Sequence, residues 1–319
     1  MNKNFIKTKI IIWSIIVVFL IGILIYGVTY KKDFGFNFNI SNIVSINVGG
    51  KNLKTQKDKT ISLDGCNNIN LDFRSSDVII KETNDSKIRV IEKCSTKLRE
   101  KEKFQVDKSG DSINIKRGIR HSSFGIVFFG VSGQKIEVYI PKQYNKNLKI
   151  NLTSGDIKFD SNIGLNMIKS TQSSGDFYGM NSIKANEFNL ESTSGDVQIG
   201  NLNTNIYNIE LTSGDIMANL VKGSGNVKAT SGDIKIQYKD INDYSNVKAS
   251  SGDVNLKINK KINFDFSGKC GSGEINSDFP INYNNQEEKD EGTGKIGDDP
   301  YKRIDVQTSS GDINLEKIY

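Results

Sequence analysis

The sequence predicts an all-β protein, a single-stranded β-solenoid (β-helix) preceded by one N-terminal transmembrane helix. The first observation is a motif that returns. Ser-Gly-Asp followed by an apolar residue ends on Asp156, Asp176, Asp196, Asp215, Asp233, Asp253 and Asp312, and Gly273-Glu274-Ile275 is a one-letter variant. Spacings from Asp156 to Glu274 are 20, 20, 19, 18, 20 and 21 residues, and a fixed period of that length marks a solenoid of stacked coils. The second observation is period-2 alternation around every acid. The third is an uncharged run at residues 10–30.

From the N-terminus, residues 1–9 hold Lys3, Lys7 and Lys9 and no acid. Residues 10–30 would span ~31 Å as a helix at ~1.5 Å per residue, enough for a bilayer core. Trp13 near one end and Tyr26 and Tyr30 near the other suit the membrane interface. The preceding lysines place the N-terminus in the cytoplasm and everything after about residue 31 outside. A cleaved signal peptide has an apolar core of about 7–15 residues and an Ala-x-Ala-like site, which Gly27-Val28-Thr29 does not match. No cysteine follows the run closely enough to take a lipid. The expectation is an uncleaved single-pass anchor in the cytoplasmic membrane.

Residues 31–59 are expected to be a juxtamembrane linker with Phe34, Phe36 and Phe38, and residues 60–319 the solenoid domain. Within 60–150 the repeat is irregular but uses the same parts. Ser75-Ser76-Asp77-Val78 and Ser109-Gly110-Asp111 read as degenerate corners, while Ile69/Leu71/Phe73, Ile88/Val90 and Ile136/Val138/Ile140 alternate as strands. This stretch is expected to cap the stack.

In the repeats the residue after each acid is apolar: Ile157, Phe177, Val197, Ile216, Ile234, Val254, Ile275 and Ile313. Two further on lie Phe159, Gly179, Ile199, Ala218, Ile236, Leu256, Ser277 and Leu315, with mostly polar residues between. That is a short strand with one face inward. Upstream, Leu148/Ile150/Leu152 and Tyr207/Ile209/Leu211 alternate likewise, and Cys270 falls in the column of Ala229 and Ala249. Glycine in the corner permits positive φ and close passage of the neighbouring coil. The Ser and Asp side chains can bond turn amides that no ladder reaches. Between Glu274 and Asp312 a polar loop is expected at about 284–300, after which the last coil closes the stack with Glu316 and Lys317 blunting its edge.

Composition narrows the function classes. Net charge is +6, but residues 1–32 contribute five lysines and no acid, leaving 38 basic against 37 acidic residues. A nucleic-acid binder concentrates positive charge on its folded domain, so nucleic acid is not an expected partner. Three cysteines, Cys66, Cys94 and Cys270, contain no Cys-x-x-Cys pair, which argues against a zinc site or a disulfide framework. A Cys66–Cys94 bridge is left open, and Cys270 reads as a core residue.

The aspartate column is the sharpest chemical candidate. Carboxylates ~4.8 Å apart repel by roughly 0.9 kcal/mol per neighbouring pair in water, so turn amides, Lys158 and Lys235, or a bound cation must offset them. Calcium takes such oxygens, but calcium-binding repeats have a nine-residue period with extra glycines; structural capping is the favoured reading and no metal ligand is assigned. Glycosidase chemistry needs one carboxylate pair with divergent pKa values, whereas the repeat offers many equivalent acids. The sole histidine, His121, has no nucleophile motif beside it, and no catalytic or cofactor-binding residue is assigned. Ile126-Val127-Phe128-Phe129 reads as a buried strand, or else an exposed contact.

The Ser-Gly-Asp-Ile/Val repeat, the single N-terminal apolar run and the closing Val306-Gln307-Thr308-Ser309-Ser310-Gly311-Asp312-Ile313 resemble the bacterial putative adhesin family of unknown function over residues 60–319. That resemblance implies a right-handed solenoid and an envelope role, one membrane-anchored relative being encoded with envelope-stress sensing systems. It implies no catalytic residues. The expected function is a non-enzymatic binding or scaffold surface in the cell envelope, adhesin-like, with cell-wall glycan as partner. The alternative is a regulatory partner of a membrane envelope-stress sensor, and a polysaccharide-processing β-helix enzyme ranks below both.

Overall fold

The computed structural model describes residues 36–40, 44–48, 53–119 and 133–319. The expected membrane helix at 10–30, His121 and the Ile126–Phe129 segment lie outside them. Among the described residues no helix is long and apolar enough to cross a membrane. The chain divides into two units, one of residues 1–52 with 121–132 and one of residues 53–120 with 133–319. In the first, Phe36–Ile40 and Val44–Val48 form an antiparallel pair, so the stretch expected to be a linker contains strands. The second already begins its sheet at Lys54–Ile61, before the expected boundary at 60.

The second unit is a stack of parallel coils. Ser75, Ser154, Ser174, Ser194, Ser213, Ser231, Ser251 and Ser310 lie in one column, paired neighbour to neighbour. The residue after each corner acid lines the interior: Val78, Ile157, Phe177, Val197, Ile216, Ile234, Val254, Ile313 and Ile275 are each at most 1% exposed. Each such burial stabilises by roughly 1.5–3 kcal/mol as an upper figure. Where the second inner column reads Gly179, a Cβ would meet Ile183 Cδ1 at 2.7 Å and the Phe177 ring at 3.1 Å, so those side chains already fill the space. A third side, Ile163, Ile183, Leu202 and Val221, pairs in register and closes the core.

Chain order and stacking order part at both ends. Asn68–Ser75 lies between Asn147–Ser154 and Ser112–Lys116, so the chain steps outward to Ser112–Lys116 and Gln134–Pro141 before returning to build the stack. At the other end Lys302–Ser310 lies between the strand containing residues 244–251 and Phe264–Cys270. The final coil was expected to close the stack; it is instead inserted one layer in. Lys257 and Glu316 pair at 3.0 Å across that internal joint, so Glu316 guards no free edge. The outer layer is Phe264–Cys270, covered by antiparallel Glu291–Ile296, a strand inside the expected polar loop of 284–300. Antiparallel strands likewise cover the first layer: Gln105–Ser109 on Ser112–Lys116, and Ile88–Cys94 on Gln134–Pro141.

One more expectation is revised, that of the two degenerate corners. Ser75-Ser76-Asp77 is a true corner of the stack, whereas Ser109-Gly110-Asp111 is the hairpin turn between Gln105–Ser109 and Ser112–Lys116, with Gly110 at φ +58°. Its spelling matches the motif, but the following strand runs back along its neighbour. Cys66 and Cys94 are buried free thiols; Cys66 Sγ donates to the Asn68 carbonyl at 3.3 Å and Cys94 Sγ bonds the Thr96 hydroxyl at 3.5 Å. Cys270 is in the core, opposite Thr308.

Candidate binding face

The aspartate column is a hydrogen-bond ladder. Asp77 Oδ1 accepts from the Asp156 amide at 3.3 Å, and the relay continues through 156, 176, 196, 215, 233, 253 and 312 to the Glu274 amide, at 2.8–3.0 Å per step. The next amide follows ordinary sheet pairing, as when Ile216 N–H donates to the Asp233 carbonyl at 2.8 Å. At the corner the acid's own amide has no carbonyl to meet, and the carboxylate one coil back replaces it. A charge-assisted bond of about 1.5–3 kcal/mol is large enough to offset the roughly 0.9 kcal/mol repulsion between neighbouring acids. Lys235 adds a contact to Asp233 at 3.5 Å and Tyr178 donates to Asp176 at 2.6 Å; Lys158 pairs with Asp160 instead. The bond to Asp176, then burial, raises the Tyr178 pKa to about 12. Among the described residues no group of three or more His, Cys, Asp or Glu could hold a metal ion.

Corner glycines let the acids stack. Gly232 has φ +125°, and a Cβ there would lie 2.0 Å from the Gly214 carbonyl oxygen. Beside the glycines, Thr153, Ser173, Thr193, Thr212, Thr230, Ser250 and Ser309 are exposed, presenting a hydroxyl on successive coils.

A second ladder runs along another edge. Asn205 donates to Asn186 at 3.3 Å, Asn186 to Asn166 at 2.9 Å, Asn166 to Asn147 at 2.9 Å and Asn147 to Asn68 at 3.0 Å. Asn68 donates in turn to Asp111 at 3.3 Å, while Asn67 reaches the other oxygen at 3.0 Å. The bond from Asn67, then that from Ser112, holds the Asp111 carboxyl below the usual carboxylate range. The ladder lines an open groove of about 880 Å³ that also takes in Lys146, Lys184 and Thr204. A smaller cavity of about 240 Å³ lies among Thr171, Glu191, Glu210, Thr212 and Lys228.

Sequence reasoning found the acids and missed the asparagines. Their signal was present: Asn147, Asn166, Asn186 and Asn205 precede Asp156, Asp176, Asp196 and Asp215 by 9, 10, 10 and 10 residues. Asparagine is common in turns for local reasons, which concealed the phase.

The family model described as Toastrack DUF4097 matches residues 66–316. Among solved structures, a putative adhesin from Bacteroides fragilis NCTC 9343 has a TM-score of 0.50 at 14% identity, covering 83% of this chain and 98% of its own. A putative cell adhesion protein from Clostridium sporogenes ATCC 15579 gives 0.32 at 13% identity, covering 83% and 100%. A protein from Parabacteroides distasonis ATCC 8503 described as a putative lipid binding protein gives 0.45 at 14%, covering 82% and 96%. At these identities the likeness concerns the fold alone. No curated protein matches the chain.

Proposed function

We propose, from the premise that this chain belongs to the Toastrack DUF4097 family, that it is a non-enzymatic binding surface of the bacterial envelope. In this reading residues 10–30 anchor it in the cytoplasmic membrane with the N-terminus inside, and the solenoid is displayed outside. One observation carries the reading: the polar side chains of the repeat recur in register on successive coils, as amides along one edge and hydroxyls beside another. Such columns present the same contact many times along one axis, which suits an extended partner bound by avidity. The corner carboxylates are bonded to backbone amides, a structural use that sets no pair apart for acid–base work. The description of the Bacteroides fragilis structure as a putative adhesin agrees with a binding role.

The test is cosedimentation of the detergent-solubilised full chain with purified bacterial cell wall, alongside carbonate extraction of membranes from expressing cells. Saturable retention on wall and resistance to extraction are expected. Failure to sediment at tens of micromolar protein overturns wall binding, and crosslinking to a membrane sensor in its place would move the assignment to a regulatory partner. Release by carbonate overturns the anchor.

A further inference from the structure

We infer that the asparagine-lined groove is a site for an extended anionic glycan strand, lying along the stack axis with its hydroxyls on the amides. The inference rests on the binding-surface reading and names its ligand class and place. Asn147, Asn166 and Asn186 each use one N–H and one oxygen lone pair within the ladder. Each retains a second N–H and a second lone pair. A sugar hydroxyl is likewise donor and acceptor at once, so every layer offers one complementary pair.

The spacing selects among polymers. Layers repeat at ~4.8 Å, close to the length of one pyranose with its linkage. An extended peptide advances ~3.4 Å per residue and falls out of step within two layers. From Asn68 to Asn205 the ladder crosses four steps, roughly 19 Å at that spacing, which holds about four sugars. The groove is too polar for an acyl chain: its apolar lining is Leu165 and Ala185, exposed by only 7% and 5%, a narrow floor for the C–H face of a ring. Gly164 keeps the wall open, since nothing lies within 4 Å of where its Cβ would be. Lys146 and Lys184 are exposed in the lining and Asp111 is its one acid, so negative substituents such as uronate carboxylates are favoured.

The experiment measures calorimetric binding of three probes of six residues each to the detergent-solubilised full chain: hexagalacturonate, with its dimer, trimer and tetramer as a length series, an N-acetylglucosamine hexamer and an acetylated Ser/Gly hexapeptide. Hexagalacturonate is expected to bind saturably and most tightly, with affinity rising up to about four sugars, the number of steps at that spacing. The pair Asn166→Ala/Asn186→Ala should weaken it about ten-fold, the loss of two net hydrogen bonds. The pair Asn226→Ala/Asn246→Ala removes an amide contact of 3.0 Å outside the groove and should leave affinity within about two-fold. Melting curves verify that both doubles fold. Lys184→Glu leaves the ladder intact and should weaken hexagalacturonate several-fold more than the neutral hexamer.

Glycan binding that survives Asn166→Ala/Asn186→Ala overturns this site while the wider binding-surface reading stands. Retention on cell wall without binding of either hexamer also overturns it. Hexapeptide binding that the same double abolishes overturns the glycan and assigns a protein partner.

Discussion

The middle of the solenoid and its two ends are built on different rules. Between residues 147 and 259 every coil repeats the same devices: an apolar residue behind the acid, a glycine pressed on its neighbour, and a carboxylate capping the next amide. At the ends the chain overshoots, returns one layer, and covers the outermost strands with antiparallel ones. A parallel ladder perpetuates its own open edge, so ending it requires a change of direction. The outer strand Lys54–Ile61, paired among the described residues only with Ile88–Cys94, carries Lys54, Lys57, Asp58 and Lys59, charges that discourage further pairing. Arg89 holds Asp58 there in a two-pronged bond of 2.9 and 2.5 Å.

The sharpest way to break this comparison is at a glycine. Gly232→Val places a Cβ against the Gly214 carbonyl at φ +125°, where both the clash and the backbone conformation oppose any side chain. A loss of more than ~3 kcal/mol is expected, because two strain mechanisms act together. Gly164→Ala, with no neighbour within 4 Å and no positive φ, should stay within ~0.5 kcal/mol as an ordinary surface change. Urea denaturation of the two variants measures the difference. Equal losses would mean that the corners are not closely packed.

The interior of the middle coils offers the next test. Tyr207 spans the coil containing Gly225 to reach Ser245, whose hydroxyl also meets Tyr238 at 2.6 Å, and all three side chains are buried. Burial raises the pKa of Tyr207 to about 12. Gly225 is obligatory beneath that ring, since a Cβ would lie 2.0 Å from the Tyr207 carbonyl oxygen and 2.5 Å from the ring. Ser245→Ala leaves two buried phenols without their shared partner and should cost about 1–3 kcal/mol, read as a lowered urea midpoint. An unchanged midpoint would show that the phenols bond one another directly.

The same contrast explains what could be read from residues alone. Wherever one device repeats on consecutive coils, as with the residues behind Asp156 to Asp253, phase in the sequence is phase in space, and strands, corners and core columns were legible. At the ends, neighbours in sequence are not neighbours in the stack. Nothing local to Ile304 or Val306 says that their coil slides inside that of Phe264 and Phe266, because the apolar alternation is the same in either place. Ser109-Gly110-Asp111 misled for a related reason: three turn-forming residues fit a hairpin as well as a corner. Of the candidate site, the acids were visible through their strict motif, whereas the asparagines lie in turns, where that residue is common for local reasons, and so their phase escaped notice.

The smallest effect isolates what the corner acid is for. Aspartate is required where another coil lies above it, because its short carboxylate must reach the next corner amide. Asp215 does this for Asp233 at 2.8 Å. The Glu274 amide donates such a bond to the Asp312 carboxylate at 2.9 Å, but Glu274 has no corner above it, since its coil is the outermost of the described stack. The one-letter departure from the motif therefore falls where an aspartate has nothing to cap. Asp215→Ala should cost about 1–2 kcal/mol for an amide left without its charged acceptor, and Asp215→Asn less, because an amide oxygen still accepts. Glu274→Ala should fall within ~0.5 kcal/mol. Urea midpoints for the three variants settle the order, and a Glu274→Ala loss as large as that of Asp215→Ala would mean that the carboxylates act through something other than the ladder.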